Sequence, residues 1–378
     1  MKKLLLIFML LASVCDASTL AKVLEIKADV DAIKQVLTER NIPFTGLSNI
    51  ANSLDSSLLP IYSGGDGTAS DPFQIATASH FLAIGSGDTV AGASGNWDMD
   101  KHYRQVADID FDGIAFTPVG HVAGSGFTAF TGSYDGNGCK ISNVSFAAAS
   151  SRRLGLFAAI EGGRVENLGL KNLAISGEAF VGGVCGDAAG VDISNIYVSG
   201  STLSASHAST SLGGLIGATT GGTINDITNS YVFNTALNST SGTKLTGGLV
   251  GVLIASPEGH QTTTIKDSWA SFTSNRATGT VSGISWVLCA SGRTITYSFL
   301  DTKVNNAFPT ELVRVDTSTG TGTINSDTTG SELLTTANMY KQASYNDWDF
   351  VDTWQINEDE SYPYFQAPYP VQSPAPAE

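Results

Sequence analysis

A six-residue glycine-rich phrase recurs five times along this chain of 378 residues, and it constrains the fold more than any other feature. Its copies begin at Leu154, Val181, Leu212, Thr246 and Val281, so the steps between them are 27, 31, 34 and 35 residues. A constant phrase with elastic spacing indicates that one supersecondary unit is stacked repeatedly, with variable loops between the units. Each unit covers its apolar face with the next unit, so the whole stack shares one core.

A second phrase of four residues follows each copy of the first. Its third position holds Gly169, Tyr197, Tyr231, Trp269 and Phe299 in chain order. If the units stack in register, the four aromatic residues form a row. The row either points inward as an aromatic ladder of the core, or points outward as a ridge that contacts a sugar or a partner protein. The short strands leave both orientations open, and the outward one would make these four residues the ligand-contact site.

Between the phrases the chain reads as short strands and tight turns. Glycine accounts for 41 residues and charged residues for only 15% of the composition, which suits strands and corners better than helices. Alternation lasts three to five residues before Gly, Asn or Asp interrupts it, and these residues favour the left-handed conformations that corners need. We therefore predict an all-β chain, with a parallel β-helix over residues 61–310.

Residues 1–17 are predicted to be a secretory signal peptide. Two lysines precede an apolar run from Leu4 to Ala12, and small residues then allow cleavage after Ala17. The run is too short to span a bilayer, which takes about 20 residues. The mature chain is therefore expected to be secreted or held at the cell surface, without a membrane span. Lipoprotein anchoring through Cys15 is the alternative.

Residues 18–60 are predicted to form a helical leader. Apolar side chains recur there at steps of three and four residues, which defines a helical seam of Val23, Ile26, Val30, Ile33 and Leu37. The leader either packs across one end of the solenoid as a cap or oligomerises the chain. In the second case, β-branched residues at the seam positions favour a trimer.

Two further segments follow the predicted β-helix. Residues 311–366 change to a mixed aromatic composition, and we predict that they cap the last coil, whose strand edges would otherwise stay unpaired. Residues 367–378 are rich in proline and are predicted to be a disordered tail.

Charge and cysteine usage exclude several classes. The net charge of −15, without a cluster of Lys or Arg, argues against nucleic acid as a partner. The mature chain would keep Cys139, Cys185 and Cys289, an odd number spread over different repeats, which argues against a disulfide framework. Cys185 and Cys289 are predicted to be buried free thiols.

No catalytic or metal-binding motif emerges from the sequence. The five histidines are isolated, whereas zinc proteolysis needs two of them one helical turn apart beside a glutamate. Asp108, Asp110 and Asp112 look like the first half of a calcium loop, but its twelfth position is Val119 and not glutamate. The simpler interpretation is a strand whose aspartates face solvent. We therefore predict no cofactor, with calcium as the one candidate, and no enzyme.

Several segments together carry a family resemblance. They are the opening Gly67–Ile75, Ala107–Phe111, Phe130–Gly138, the two repeated phrases and the closing Trp354–Tyr364. In this order they resemble bacterial surface proteins with the GLUG motif, whose repeats also accompany some filamentous adhesins and immunoglobulin A proteases. The resemblance covers residues 64–366, and its fifth copy departs most because Trp286 replaces glycine. It implies a right-handed parallel β-helix exported to the cell surface, but no uniform activity.

The sequence thus predicts an exported surface or extracellular β-helix protein. Its expected role is adhesin-like binding of a glycan or protein on a cell surface, or that of a fibre subunit. The alternative is a β-helix that binds or degrades a polysaccharide, which would bring at least two carboxylates together. A third, purely structural role is end-to-end stacking of copies through the leader and the cap.

Overall fold

A computed structural model describes fourteen stretches of the chain: 64–87, 95–124, 126–207, 210–219, 225–239, 244–254, 263–276, 280–282, 285–288, 293–296, 299–301, 313–316, 326–327 and 331–372. The predicted signal peptide and helical leader, including the seam from Val23 to Leu37, lie outside these residues.

In the described stretches, two α-helices and one 3-10 helix accompany many short strands. The helices are α1 (Ala78–Ala83), α2 (Thr336–Met339) and the 3-10 helix Gln342–Ser344. The strands of the first turns are β1 (Phe73–Ile75), β2 (His102–Gln105), β3 (Ile109–Asp110), β4 (Ser133–Asp135), β5 (Lys140–Ser142) and β6 (Ser145–Ala148). The repeats carry β7 (Arg153–Leu154), β8 (Phe157–Glu161), β9 (Arg164–Lys171), β10 (Ala174–Gly177), β11 (Phe180–Val181), β12 (Cys185–Ala189), β13 (Asp192–Ser199), β14 (Thr202–Ala205), β15 (Thr210–Gly213), β16 (Ile216–Thr219), β17 (Asn225–Thr228) and β18 (Tyr231–Ser239). The remaining strands are β19 (Lys244–Gly247), β20 (Val250–Ile254), β21 (Thr263–Lys266), β22 (Trp269–Arg276), β23 (Thr280–Ser282), β24 (Ser285–Leu288), β25 (Arg293–Thr296), β26 (Phe299–Asp301), β27 (Val313–Asp316), β28 (Ser326–Asp327), β29 (Glu332–Leu334), β30 (Trp354–Gln355) and β31 (Tyr364–Phe365).

These strands stack as a parallel β-solenoid. They form an 18-stranded sheet, a six-stranded sheet and a five-stranded sheet, and within these sheets each strand pairs with its equivalent in the next turn. All the pairs of named strands are parallel except β30 with β31, which form a separate antiparallel hairpin. The predicted all-β, parallel β-helix architecture is confirmed, and about five turns carry the repeated phrases.

The first phrase keeps one register from turn to turn. Val181 pairs with Leu154 on one side and with Leu212 on the other, and Leu212 in turn pairs with Thr246. Leu154, Val181 and Leu212 are buried in the common core. The growing spacing between copies therefore adds residues elsewhere in each turn and leaves the aligned core positions unchanged.

The glycines of the first phrase permit a close approach of backbones. A Cβ atom on Gly217 would lie 2.6 Å from both the Gly186 carbonyl oxygen and the Val181 nitrogen. Gly251, its equivalent one turn later, would meet the Leu212 nitrogen at 2.6 Å. Because these neighbours are main-chain atoms, they cannot move aside as a flexible side chain could. The phrase is glycine-rich because two sheets touch there through their backbones.

An asparagine ladder forms the corner at the start of the second phrase. Asn167, Asn195 and Asn229 adopt left-handed backbone angles, with φ of 55°, 56° and 45°. The side-chain amide of Asn195 donates to Asn167 Oδ1 at 2.9 Å, and that of Asn229 donates to Asn195 Oδ1 at 3.3 Å. Each corner thus satisfies its side chain with the corner of the previous turn. The predicted use of asparagine at corners is confirmed.

Helix α1 packs into the interior of the first turns. It follows Thr77, whose hydroxyl accepts a hydrogen bond from the His80 amide at 3.2 Å as an N-cap. Its Phe81 is fully buried and lies edge-on to Phe111, Tyr134 and Phe157, at centroid distances of 6.0, 5.6 and 6.0 Å. This helix was not predicted from the sequence, because six residues give too short an amphipathic pattern.

The end of the described chain departs from the prediction. Strand β29 pairs with β26 as a further rung, but the chain then turns back along the side of the solenoid. Tyr362 and Phe365 contact Trp269 and Tyr231, which belong to earlier turns. Residues 336–366 therefore cover a lateral face, which the sequence did not predict, and a cap over the end of the last coil stays a prediction.

The close approach at Gly217 generates a test of the fold. We expect Gly217→Ala to lower the free energy of unfolding by about 3 kcal/mol, because the added methyl group overlaps main-chain atoms. The control is Gly162→Ala, where a Cβ meets nothing within 4 Å and only the positive φ of 68° is strained, at about 1 kcal/mol. Chemical denaturation of the full chain measures both. Equal losses would contradict the close packing of the two sheets.

The asparagine ladder generates a second test at Asp267, which occupies the next corner with φ of 50°. The side chain of Asp267 has no amide group to donate a hydrogen bond. Its buried Oδ1 has no hydrogen-bond partner among the described residues. We expect Asp267→Asn to stabilise the protein at neutral pH by about 1 kcal/mol by extending the ladder. Its ion pair with Lys266, 3.5 Å long and partly exposed, contributes little.

The same substitution should change the pH dependence of stability. Burial raises the pKa of Asp267, with the Asp347 carboxylate adding to the effect, while Lys266 opposes both. A carboxyl whose pKa is higher in the folded state lowers stability at neutral pH, and this loss is recovered as the pH falls towards about 4. The advantage of Asp267→Asn should therefore shrink on acidification. An advantage independent of pH would contradict the burial of this carboxylate.

Candidate functional site

The aromatic row lies on the outer side of the main sheet. Tyr197 pairs in register with Tyr231, and Tyr231 with Trp269. Their rings stack nearly parallel, with centroids 5.3 Å apart for the two tyrosines and 4.9 Å apart for Tyr231 and Trp269. The alternate residues Ile196 and Val198 belong to the solenoid core, whereas the three rings belong to a second cluster. The interpretation of the row as an inward ladder is therefore wrong. The side chain of Phe299 is outside the described part of the chain.

The C-terminal strap, defined as residues 336–372, covers this row. Tyr362 stacks on Trp269 at 4.8 Å with an interplanar angle of 7°, and Phe365 lies 5.2 Å from Tyr231. As a result Tyr197, Tyr231 and Trp269 are 0% exposed although they point away from the solenoid interior. The row is the docking surface of the chain's own C-terminal strap.

Side-chain hydrogen bonds fasten the strap to the turns it crosses. Trp269 Nε1 donates to the Pro363 carbonyl oxygen at 3.1 Å, and the Tyr231 hydroxyl donates to the Gln372 carbonyl oxygen at 3.1 Å. The Ser199 hydroxyl donates to Gln372 Oε1 at 2.8 Å. The predicted disordered tail is thus wrong for residues 367–372, which lie against the solenoid. Residues 373–378 are not described.

The stacking geometry also decides what the row can bind. A sugar packs on the face of an aromatic ring, but both faces of Tyr231 are covered by Tyr197 and Trp269. The second face of Trp269 is covered by Tyr362. The three described rings therefore offer no exposed ridge to a ligand. The predicted ligand contact through Tyr197, Tyr231 and Trp269 is corrected to a contact within the chain.

A neighbouring face of the solenoid carries no strap contact among the described residues. We call it the polar face, and it consists of the outward side chains of β2 and β4, and of those parts of β9 and β13 that precede the corner residues Asn167 and Asn195. One row holds His102, Ser133, Arg164 and Asp192, and the parallel row holds Arg104, Asp135, Glu166 and Ser194. The residues between the rows, such as Val165 and Ile193, are fully buried. The polar face is therefore flat, with its side chains repeating at the strand spacing of about 4.8 Å.

Ion pairs organise the charges of the polar face. Arg164 Nη2 lies 2.6 Å from Asp192 Oδ2, and its Nη1 lies 3.6 Å from Glu166 Oε1. Arg104 Nε lies 3.5 Å from Asp135 Oδ2, its neighbour in the same row. Partial burial raises the pKa of the Glu166 carboxyl, Arg164 opposes this, and Asp135 and Asp192 add to it. These residues were not predicted from the sequence, because they become neighbours only through the register of the turns.

A serine and a histidine also meet on the polar face. His102 Nδ1 lies 2.7 Å from Ser133 Oγ. Among the described residues no carboxylate hydrogen-bonds to the other ring nitrogen of His102, so the acid that orients the base in a catalytic triad is lacking. The two residues are register partners on β2 and β4, in the first row of the polar face.

Two aspartates of the candidate calcium loop, Asp108 and Asp110, already have protein partners. Asp108 Oδ1 accepts the Lys140 amide at 2.9 Å, and Asp110 Oδ1 accepts the Asn143 side-chain amide at 2.8 Å and the Asp112 amide at 2.9 Å. Ile109 and Phe111, which alternate with them, are buried, as the strand interpretation predicts. No group of three or more His, Cys, Asp or Glu in the described stretches is arranged to hold a metal ion.

The two cysteines that the structure describes are free thiols. Cys185 is free and buried in the core, and burial raises the pKa of its thiol well above the usual value. Cys139 is free and partly exposed. The prediction of a buried free thiol is confirmed for Cys185, whereas Cys289 lies outside the described residues.

Comparisons with known proteins agree with the architecture. No protein-family model matches the chain. A solved Bacteroides ovatus protein, described as a candidate immunoglobulin A1 protease, superposes with a TM-score of 0.53 at 20% identity, over 80% of this chain and 94% of that one. At this identity the likeness establishes the fold alone.

Two curated relatives share parts of the sequence. Halomucin of Haloquadratum walsbyi is 32% identical over 174 residues, which is 43% of this chain and 2% of halomucin. A candidate Gly-rich membrane protein of Evansella cellulosilytica is 31% identical over 159 residues, 39% of this chain and 17% of that protein. The chain thus spans only a small part of the length of these relatives. No helix in the described stretches is long and apolar enough to cross a bilayer.

The contact between Tyr362 and Trp269 generates a test of the strap. We expect Tyr362→Ala to weaken docking by about 3 kcal/mol, because it removes a buried ring. Limited proteolysis of the full chain should then cut faster within residues 336–372 while the solenoid stays resistant. The control Val351→Ala alters a strap residue that is 82% exposed and should leave the cleavage rate unchanged. Equal rates in the two variants would show that the strap does not dock through Tyr362.

Proposed function

We propose that this chain is an exported surface protein of the adhesin type, which binds a glycan or a protein on another surface through its polar face. The observation that carries the proposal is the flat ladder of ionic and hydroxyl side chains on β2, β4, β9 and β13. Arg104 and Arg164 are about half exposed there, with side-chain exposures of 50% and 51%. Repeated donors and acceptors on a rigid flat sheet suit a polymer or a protein surface better than a small molecule, which binds in a concave pocket.

Other observations support an extracellular location. The predicted signal peptide directs the chain out of the cell. The names of the two relatives, a mucin and a membrane protein, fit a protein that works at a cell surface. A net charge of −15 keeps such a protein soluble. A shared fold does not imply a shared activity, so the proposed binding rests on the residues of the polar face.

A second candidate is a polysaccharide-degrading β-helix. The specific observation in its favour is the set of carboxylates around Arg164. Glu166 has a raised pKa, as a general acid requires, and Asp135 and Asp192 lie close enough to contribute to it. Against it, these groups stand on a flat face and are engaged in ion pairs with Arg104 and Arg164.

Binding through the polar face is tested with the mature protein on a glycan array and on host-cell proteins. We expect Arg164→Ala to reduce binding about tenfold or more, because it removes a half-exposed cation that a bound partner would bury in a charge pair; truncating one side of such a pair across an interface costs this much or more. The matched control is Lys171→Ala, which removes an exposed cation from the same strand beyond the polar face. Equal binding by both variants would contradict the proposal.

The enzyme alternative has its own test. If Glu166 is a general acid, Glu166→Gln should abolish release of reducing ends from a polysaccharide that the protein binds, with binding retained. If neither the wild-type chain nor the variant releases reducing ends from any glycan bound on the array, the alternative is excluded and the binding proposal remains.

A further inference from the structure

We propose that the aromatic row and the C-terminal strap form an exchangeable pair, in which the strap of a second copy of this chain docks on the row and two copies join by exchanging straps. This inference does not depend on the proposed binding function. It concerns a different face of the molecule, and its partner is another copy of the same chain.

The first argument is the way in which the strap is attached. Neighbouring turns of the solenoid are joined by main-chain ladders, but β30 and β31 pair only with each other. The strap meets the row through rings and through the hydrogen bonds of Ser199, Tyr231 and Trp269. Because the strap makes no strand pairing with the described sheets of the solenoid, it can leave its site without breaking the hydrogen bonds of a sheet.

The second argument is that the strap has a core of its own. Trp348 lies 4.4 Å from Trp354, Trp354 lies 4.7 Å from Phe365, and Tyr345 lies 4.8 Å from Trp348. The strap therefore carries part of its packing with it when it moves. A unit of this size is marginally stable alone, so it needs an aromatic row to dock on, whether its own or that of another copy.

The third argument is the state of the row without a strap. Undocking would expose Tyr197, Tyr231 and Trp269, and aromatic side chains of this size bury about 150–250 Å² each. Large exposed apolar patches of this kind are rare on monomeric proteins and mark interaction sites, because burying them is favourable. The strap of a second copy offers the same contacts as the original one. Exchange of an identical element between copies is a low-cost route to a dimer. The exchanged dimer makes the same contacts as two closed monomers and differs from them only at the hinge and in the association entropy.

The fourth argument is the position of the hinge. Strand β29 ends at Leu334 as a rung of its own solenoid, and α2 begins at Thr336. Between them Thr335 caps the helix, with its side chain accepting from the Asn338 amide. The two units are thus joined by a single residue. When the rows of two copies face each other, the strap of each copy can dock on the row of the other. Each copy keeps its own β29 paired in its own solenoid.

The test uses two complementary full-length variants. The row variant carries Trp269→Ala, and the strap variant carries Tyr362→Ala and Phe365→Ala. Each variant alone lacks one half of every interface, so it should stay monomeric at concentrations where the wild-type chain dimerises. Mixed together, the intact strap of the first should dock on the intact row of the second. We expect a 1:1 heterodimer by size-exclusion chromatography with light scattering.

Two further measurements keep the proposal open to refutation. Circular dichroism must show that both variants keep their β signal. If it does not, wild-type copies with two different tags are concentrated together, diluted and purified through one tag. Co-purification of the second tag, prevented by an excess of a synthetic peptide of residues 336–372, supports exchange. A mixture that stays monomeric, or tagged copies that never co-purify, would overturn the proposal.

Discussion

The parallel main-chain ladder is the interaction on which the rest of the structure depends. It places the same position of each turn directly above its equivalent at about 4.8 Å. Any residue type that the repeat prefers at one position therefore becomes a continuous row. Leu154, Val181 and Leu212 form a core row, Asn167, Asn195 and Asn229 form a corner row, and Tyr197, Tyr231 and Trp269 form an aromatic row. The glycines of the first phrase serve the same ladder, since they let two sheets approach through their backbones.

The repeat made the fold and its register predictable. The two phrases predicted parallel stacking and the alignment of the rings, and both are found. The orientation of the rings was not predictable, because a corner residue resets the alternation of the strand. Asn195 adopts a left-handed conformation, so Ile193 and Ile196 on either side of it both face the core and Tyr197 faces outward. A strict period of two across the corner would have assigned the wrong side.

The strap and the polar face were unpredictable for a different reason. Both depend on residues that are distant in sequence, such as Tyr362 with Trp269 or Arg104 with Asp135. The aromatic content of residues 330–366 did indicate that this segment buries rings. It did not indicate where, because an open coil end and an apolar lateral row both need covering. In the structure, residues of this segment cover the lateral row.

The solenoid thus presents two different faces. The C-terminal strap covers one of them, and on the neighbouring polar face Arg104 and Arg164 are about half exposed. The central claim is that the C-terminal strap buries the aromatic row. Hydroxyl-radical footprinting of the full chain tests it most directly. Tyr197, Tyr231 and Trp269 should be modified far more slowly than Val351, which is 82% exposed. Modification of the three rings at a rate typical of exposed aromatic residues would contradict the account.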